Sequence, residues 1–510
     1  MKSFSKSKVR FIVIFIILIL TAICSINFKV DLVFKEKKDF KVAAYWDLTG
    51  TPIDINEANP SQNWSYTALN FDWCSGSGTW NDPYLIENVY IDGLNTTSCI
   101  RIRNSQAYFE IRNCTLTNAA DGDFGVKYAG IHLDYTNNGR IHNNTCSFNN
   151  QAGIVVEKSI NNTVWDCIAN DNKDWGIAIY WNSGIGSDNN TVKECTTNNN
   201  GLFGIHIYAS NYARIIQNTI NNSYYNGIDI QGVTHNHTII GNTVSFAEEC
   251  GISMGNINDC KVIGNTITDC DQDGLKAYSC SNSLISDNTL IADYWAGISI
   301  SDGNYNRITH NFIQDSYFGI HSINLNNSRI IDNALQDFES RGMHVEHFSH
   351  ANILRNNISY CVGSGIEIFY CNNISVSENN VNHNEHGVEV IFSQRVNITN
   401  NKIMSNTKNG IFIDNSNATN IIGNTINYNQ IGINLDRCNL TYVANNYLYC
   451  NSLCISEFNC DGTVLENNTC IACPERFPDF YIYLIVGITA GVLFLIIVSI
   501  VIVKRKKRKP

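Results

Sequence analysis

Residues 251–300 read GISMGNINDCKVIGNTITDCDQDGLKAYSCSNSLISDNTLIADYWAGISI. Three Gly-apolar-any-apolar tetrads stand in that stretch, at Gly251, Gly274 and Gly297. Between them lie Asn265-Thr266-Ile267 and Asn288-Thr289-Leu290, an Asn-any-apolar signature. Outward from here the tetrad recurs about every 23 residues, back through Gly227, Gly204, Gly176 and Gly153 to Gly130 and on through Gly319, Gly342, Gly365, Gly387 and Gly410 to Gly432. Self-similarity at that period means a solenoid, whose units are stable only when stacked on one another.

Side-chain pattern sets the kind of solenoid. Apolar and polar residues alternate over short runs, the strand period of two. Ile, Val and Thr are abundant and fit a pleated surface. Gly and Asn punctuate each run and tolerate the left-handed backbone of tight corners. There are six prolines and none falls between Pro83 and Pro474, where one would delete a ladder hydrogen bond. The pattern predicts a parallel β-helix with one repeat per coil, and some fourteen coils would make a rod on the order of 70 Å long. The recurring Asn reads as a corner ladder that satisfies polar atoms within the turn. Several of these asparagines also form Asn-any-Ser/Thr sequons, among them Asn63, Asn95, Asn236, Asn357 and Asn439. On an outer surface such a site could carry glycan.

The repeats, with the segment GSGTWNDPYLIENVYIDG at 76–93, resemble the right-handed parallel β-helix repeat family. That resemblance implies an all-β fold, a single-stranded right-handed solenoid of about 14 coils. Its members include carbohydrate-binding and sugar-hydrolase modules and NosD-like accessory proteins linked to copper-enzyme maturation. Fold alone does not choose among these. Four methionines are few for Cu(I) handling, which favours thioether and thiolate ligands.

Both ends carry membrane signals, so hydrophobic helices are expected there. Lys2, Lys6, Lys8 and Arg10 precede an apolar run, so residues 1–28 read as a signal peptide or signal anchor. Residues 29–75 read as linker and N-terminal cap, 76–473 as the repeats and 474–479 as a juxtamembrane linker. Residues 480–503 are apolar for about a bilayer's thickness and the basic tail 504–510 follows at once. By the positive-inside rule that tail is cytoplasmic, which places the solenoid outside the cell membrane.

Net charge is −11 and the basic residues gather at the termini. With no basic stripe along the repeats, nucleic acid is excluded as a partner. Of 19 cysteines, eighteen follow Cys24, an even number that permits disulfides in an oxidising compartment. Cys438 and Cys460 stand about one coil apart, as do Cys450 and Cys470, and these pairs are expected to staple the last coils. Cys250, Cys260, Cys270 and Cys280 suggest two stacked columns. Metal-site cysteine spacing does not recur, so no cofactor is predicted. About five extra residues between Ser183 and Asp188 predict a bulge from one corner.

In each tetrad the third residue must point outward, since its neighbours point in. Read coil by coil, this outward file holds two polar stretches. One is His206 and Asp229, with Tyr208 beside them; the other is His321, His344, Glu367 and Glu389, flanked by Glu346. Glu367 and Glu389 would stand about 5 Å apart on adjacent coils, so one should keep its proton to higher pH. Such a pair can act as acid and nucleophile on a glycosidic bond, with His344 and His321 assisting. The same imidazoles and acids leave room for a divalent metal. Tyr180, Trp181, Tyr208, Tyr278 and Phe369 could stack on sugar rings. His344, His347 and His350 do not form a metal motif on a straight strand, because His344 and His347 face opposite ways. The expected function is therefore binding of polysaccharide or another surface polymer. A polysaccharide hydrolase, lyase or epimerase and a structural surface protein are the alternatives.

Overall fold

The computed structural model describes residues 46–122, 127–180 and 186–473. They form a parallel β-solenoid of about sixteen turns. Each turn contributes a strand to each of three ladders, and the pairing is parallel nearly throughout. The first ladder runs through Ile53–Asn56, Ile100–Arg103, Ala129–Asp134 and Ala152–Glu157 to Leu453–Phe458, in register coil after coil. It starts earlier than the glycine tetrads do. Ile53 and Ile55 alternate inward and pair with Ile100 and Ile102 without a tetrad, which is why a count from the glycines falls short. Part of the stretch expected to be linker and cap is thus ladder. The rest of it includes the helix Trp64–Asn70, whose Trp64 is buried against Tyr84 and Phe109 with ring centroids 4.9 and 5.3 Å away.

Inward positions stack like on like. Ile205, Ile228, Ile252, Leu275, Ile298 and Ile320 form one fully buried column through the axis. Glycine heads the tetrad because adjacent coils come too close there for a side chain. A Cβ on Gly227 would lie 2.3 Å from Val244 Cγ1 and 2.8 Å from the Gly251 carbonyl.

One corner is closed by asparagine. Asn265 Oδ1 accepts from the backbone N–H and the side-chain amide of Asn242, both at 2.9 Å. Asn265 Nδ2 in turn donates to the Ile239 carbonyl at 3.0 Å and to Asn288 Oδ1 at 2.9 Å. The same contacts repeat from Asn218 to Asn468. A second column serves another corner through Asn384, Asn406, Asn429 and Asn451. The coil between Asn162 and Asn190 is 28 residues long rather than 23, yet Asn190 Oδ1 still accepts from Asn162 N at 2.8 Å. The extra residues therefore leave the corner undisturbed; most of them, 181–185, lie outside the described residues.

The cysteines differ from expectation. Disulfides join Cys450 to Cys473 and Cys454 to Cys470. Cys470 pairs in register with Leu448 rather than stacking on Cys450, so it is Cys473 that reaches Cys450. Cys438 and Cys460 are adjacent but remain thiols, with Cys460 Sγ accepting from Cys438 N at 3.3 Å. Cys250, Cys260, Cys270 and Cys280 are buried thiols. Burial pushes the Cys260 thiol up to about 12. Among the described residues no helix is long and apolar enough to cross a membrane. The two terminal segments expected to be hydrophobic helices lie outside them.

Two outcomes follow from this packing. Asn288→Ala strands buried polar groups on both neighbouring coils and should cost about 3 kcal/mol in chemical denaturation, whereas the exposed Asn258→Ala should cost almost nothing. Alkylation in denaturant without reductant should spare Cys450, Cys454, Cys470 and Cys473 and label the four cysteines from Cys250 to Cys280, as peptide mapping would show.

Candidate functional site

The outward file of the first ladder is continuous. His206 pairs with Asp229, Asp229 with Ser253, Ser253 with Lys276 and Lys276 with Ser299. Ser299 then pairs with His321, His321 with His344, His344 with Glu367 and Glu367 with Glu389. Two hollows open along it.

The first hollow, of about 510 Å³, gathers Tyr180, Phe203, His206, Tyr208, Tyr225 and Asp229. Tyr180 and Tyr208 stack with ring centroids 5.6 Å apart, and His206 lies 4.8 Å from Phe203 and 5.8 Å from Trp175. Asp229 is buried beneath the rings. His206 Nδ1 sits 2.9 Å from its Oδ2, and Asn226 Nδ2 and Gln231 Nε2 donate to its Oδ1 at 2.9 and 3.2 Å. The carboxylate thus fixes the imidazole, while the Tyr208 ring stays exposed and Lys127 Nζ lies 5.1 Å from the Tyr180 centroid. Tyr278 behaves differently from its expected role as a stacking platform. Its hydroxyl donates to Gln231 Oε1 at 2.6 Å, and its ring covers Gly255. Trp181 lies outside the described residues.

The second hollow, of about 360 Å³, holds Arg341, Ser364, Glu367, Glu385, His386 and Glu389. Arg341 Nε is 2.8 Å from Glu367 Oε1, and His344 Nδ1 contacts Glu367 Oε2. Ser364 donates to Glu389. His344 stacks on His321 at 5.2 Å, and Phe318 closes over His321 at 5.0 Å. The chain turns at His347, whose φ is 54°. That lets Glu346 bridge both imidazoles, 3.4 Å from His344 and 3.3 Å from His347. Phe369 leans away onto Tyr370, 4.3 Å between centroids, rather than standing free as a platform. Among the described residues no group of three His, Cys, Asp or Glu side chains is arranged to hold a metal ion.

Trp175, Phe203, Phe318 and Arg341 are absent from the outward file as read in sequence. Each directly precedes a tetrad glycine, and they pair in register as Trp175 with Phe203 and Phe318 with Arg341. A second file therefore borders the outward one, and reading the residue ahead of every glycine would have found it.

Residues 73–244 and 250–395 match the family described as the right-handed β-helix region. The chain belongs to the right-handed β-helix family. No curated sequence matches it. Among solved structures, this β-helix is similar to a periplasmic alginate epimerase AlgG mutant, at 14% identity and TM-score 0.41, covering 55% of this chain and 77% of that one. It is also similar to the mannuronan C-5 epimerase AlgE6 A-module of Azotobacter vinelandii, at 13% identity and TM-score 0.31, covering 74% and 91%. A third is the DFA-IIIase of Arthrobacter chlorophenolicus A6, at 12% identity and TM-score 0.36, covering 52% and 73%. At these values the likeness is one of fold.

Within the β-helix the stacked glutamates are driven apart in ionisation. Burial alone would raise both. For Glu367 the His344 hydrogen bond and the Arg341 charge outweigh burial and hold its carboxyl below the ordinary range. For Glu389 burial and the neighbouring Glu367 win over the Ser364 hydrogen bond and hold it above. Burial, with the His344 charge, pushes His321 down to about 4, so this imidazole is neutral at neutral pH.

The two acids should therefore respond oppositely to amide substitution. Glu367 contributes stability above its ordinary value of 4.5, lost as pH falls through its depressed one. Glu389 costs stability as pH rises through its raised value. At neutral pH, Glu367→Gln should lower stability by about 3 kcal/mol, and Glu389→Gln should leave it unchanged or raise it. Thermal unfolding should show both effects shrinking once the pH is taken below the carboxylate range.

Proposed function

We propose that this protein is a polysaccharide-binding β-helix held at the outer face of the cell membrane, with its ligand lying along the outward face of the first ladder. The observation that carries this reading is the ring-lined hollow around Tyr180 and Tyr208. There the exposed Tyr208 ring ends a stack of aromatic rings beside a fixed polar group, His206 on Asp229. Flat apolar rings with polar edges match a sugar ring, which presents C–H faces and hydroxyl rims. From His206 to Glu367 the same face continues for seven coils, about 34 Å at the ladder spacing. An extended polymer can thus touch both hollows. The membrane part of the proposal rests on the sequence alone, on the apolar run 480–503 followed by Lys504 to Lys509.

A second reading follows from the split of Glu367 and Glu389. One protonated and one ionised carboxyl on adjacent coils suit general-acid and nucleophile roles in glycoside cleavage. Under this reading Glu389 protonates the leaving oxygen and Glu367 faces the sugar ring. A lyase or epimerase would instead use His344 or His321 to take a ring proton.

The full-length protein, screened against a polysaccharide panel with reducing-sugar and unsaturated-product assays, separates these readings. A binder should lose about tenfold in affinity on Tyr180→Ala or Tyr208→Ala and keep it in Glu367→Gln. Product that disappears in Glu367→Gln and Glu389→Gln would replace recognition by catalysis. Silence across the panel would sink both.

A further inference from the structure

A third hollow, of about 560 Å³, lies beside the carboxylate pair and shares Glu339 with it. Its outer rim is a corner column. Thr268, Ile291, Gln314 and Gln336 pair in register, and the residues after them are Asp269, Ala292, Asp315 and Asp337. The three aspartates are exposed and turn at positive φ, 57°, 57° and 63°. The inner wall adds Asp271 and Glu339 with the exposed rings of Tyr294 and Tyr317. Among the described residues none of these five acids is ion-paired, and no Lys or Arg lines the hollow.

An acidic rim alone is a solvated corner. The floor is what sets this one apart. Asp293 and Ser316 line it, 0% and 4% exposed, and Asp293 Oδ2 and Ser316 Oγ have no hydrogen-bond partner. Elsewhere in the solenoid this corner position is filled by Asn406 or Asn429, each paired with the next coil. Here Asp293 keeps one rung, its Oδ1 accepting from Cys270 N at 3.2 Å while its Oδ2 packs toward Gly274, and Ser316 Oγ is left unpaired in the wall of the hollow. Unpaired buried polar atoms cost stability and call for a partner from outside.

We infer that this hollow is a subsite for a glycan carrying protonated amines, an amino-sugar polymer whose ammonium groups meet the acidic rim while its rings lie against Tyr294 and Tyr317. This rests on the polysaccharide reading and names its ligand class. Ammonium over an aromatic face and beside a carboxylate is favourable on both counts. Asp315 and Asp337 stand one coil apart, about 4.8 Å along the axis, so a polymer lying along it meets successive charges. Through Glu339 the hollow adjoins the second one, which adds Glu385 and Glu389. Arg341, the one basic residue besides His386 lining that second hollow among the described residues, is already taken by Glu367. A polyuronate would meet this field with like charge.

The test uses the full-length protein and three soluble oligomers: a β-1,4-glucosamine oligomer, its N-acetylated counterpart and a polyuronate. Binding is measured at mildly acid pH, where the sugar amines are charged. The free-amine oligomer should bind about tenfold more tightly than the acetylated one, weaken with added salt and lose that advantage in the Asp315→Asn, Asp337→Asn double variant. Both aspartates are exposed corner residues, so unchanged thermal unfolding should accompany the loss. Equal or tighter binding of the acetylated oligomer or the polyuronate, indifferent to the double variant, overturns this inference and leaves polysaccharide recognition standing. Silence with all three and with the wider panel overturns both.

Discussion

Every coil must turn its backbone away from the ladder, and the N–H and C=O groups at those turns are buried. The asparagine column resolves that constraint. One side-chain oxygen takes two donors from the coil before, and its amide gives two donors back, to a backbone carbonyl and to the next asparagine. No other short side chain carries both an acceptor with two lone pairs and a two-hydrogen donor. Each rung is therefore satisfied only by its neighbours, and the corner cannot be left incomplete without stranding polar atoms on both adjacent coils. The isoleucine stack fills the space that this corner encloses. The glycines allow the approach that lets the corners line up.

That regularity has a chemical consequence on the outside. Ladder pairing places outward residues of adjacent coils side by side at strand spacing, whatever their charge. His206 above Asp229 is a favourable accident of that rule. Glu367 above Glu389 is an unfavourable one, and the protein answers it asymmetrically. Arg341 and His344 serve Glu367, while a serine hydroxyl alone serves Glu389. Two identical side chains in equivalent positions acquire different acidities because the residues one file over differ. In a solenoid, ionisation is set across coils rather than along the chain.

What was legible in the sequence follows the same division. The tetrad states which residue points out, so His206, Asp229, His321, His344, Glu367 and Glu389 could be placed on one face before any coordinates. The file ahead of the glycines was legible only from its fixed place before each glycine, because strict alternation is lost where the chain rounds the corner. Arg341 and Phe203, which shape the two hollows, sit there. Reach was also hidden. Tyr278 is in the outward file, but a side chain that long extends back two coils to Gln231 and closes over a glycine instead of standing open. The cysteines show a third limit. A spacing of one coil brings Cys450 and Cys470 into the same layer, yet a difference of a few residues in register decides which sulfur is met, and it is that of Cys473.

Departures from the repeat are consequently where specificity belongs. A perfect ladder satisfies itself and offers solvent only its charge pattern. At Asp293 and Ser316 the corner column changes residue type: Asp293 Oδ1 still accepts from Cys270 N, but Asp293 Oδ2 and Ser316 Oγ have no partner. From Ser223 to Cys361 this column holds Ser, Ala, Cys, Asp, Ser, Phe and Cys in place of asparagine, yet strand pairing continues through these coils, so the whole stack carries the cost. A repeat protein can hold such a defect open because neighbouring coils keep it from collapsing. A loop with the same residues would turn its aspartate to water. Rigidity imposed by the asparagine corner is thus what allows the Ser316 hydroxyl to stay unpaired beside a ring-lined hollow, and the altered rung, more than the intact ones, is where the structure leaves a polar atom free.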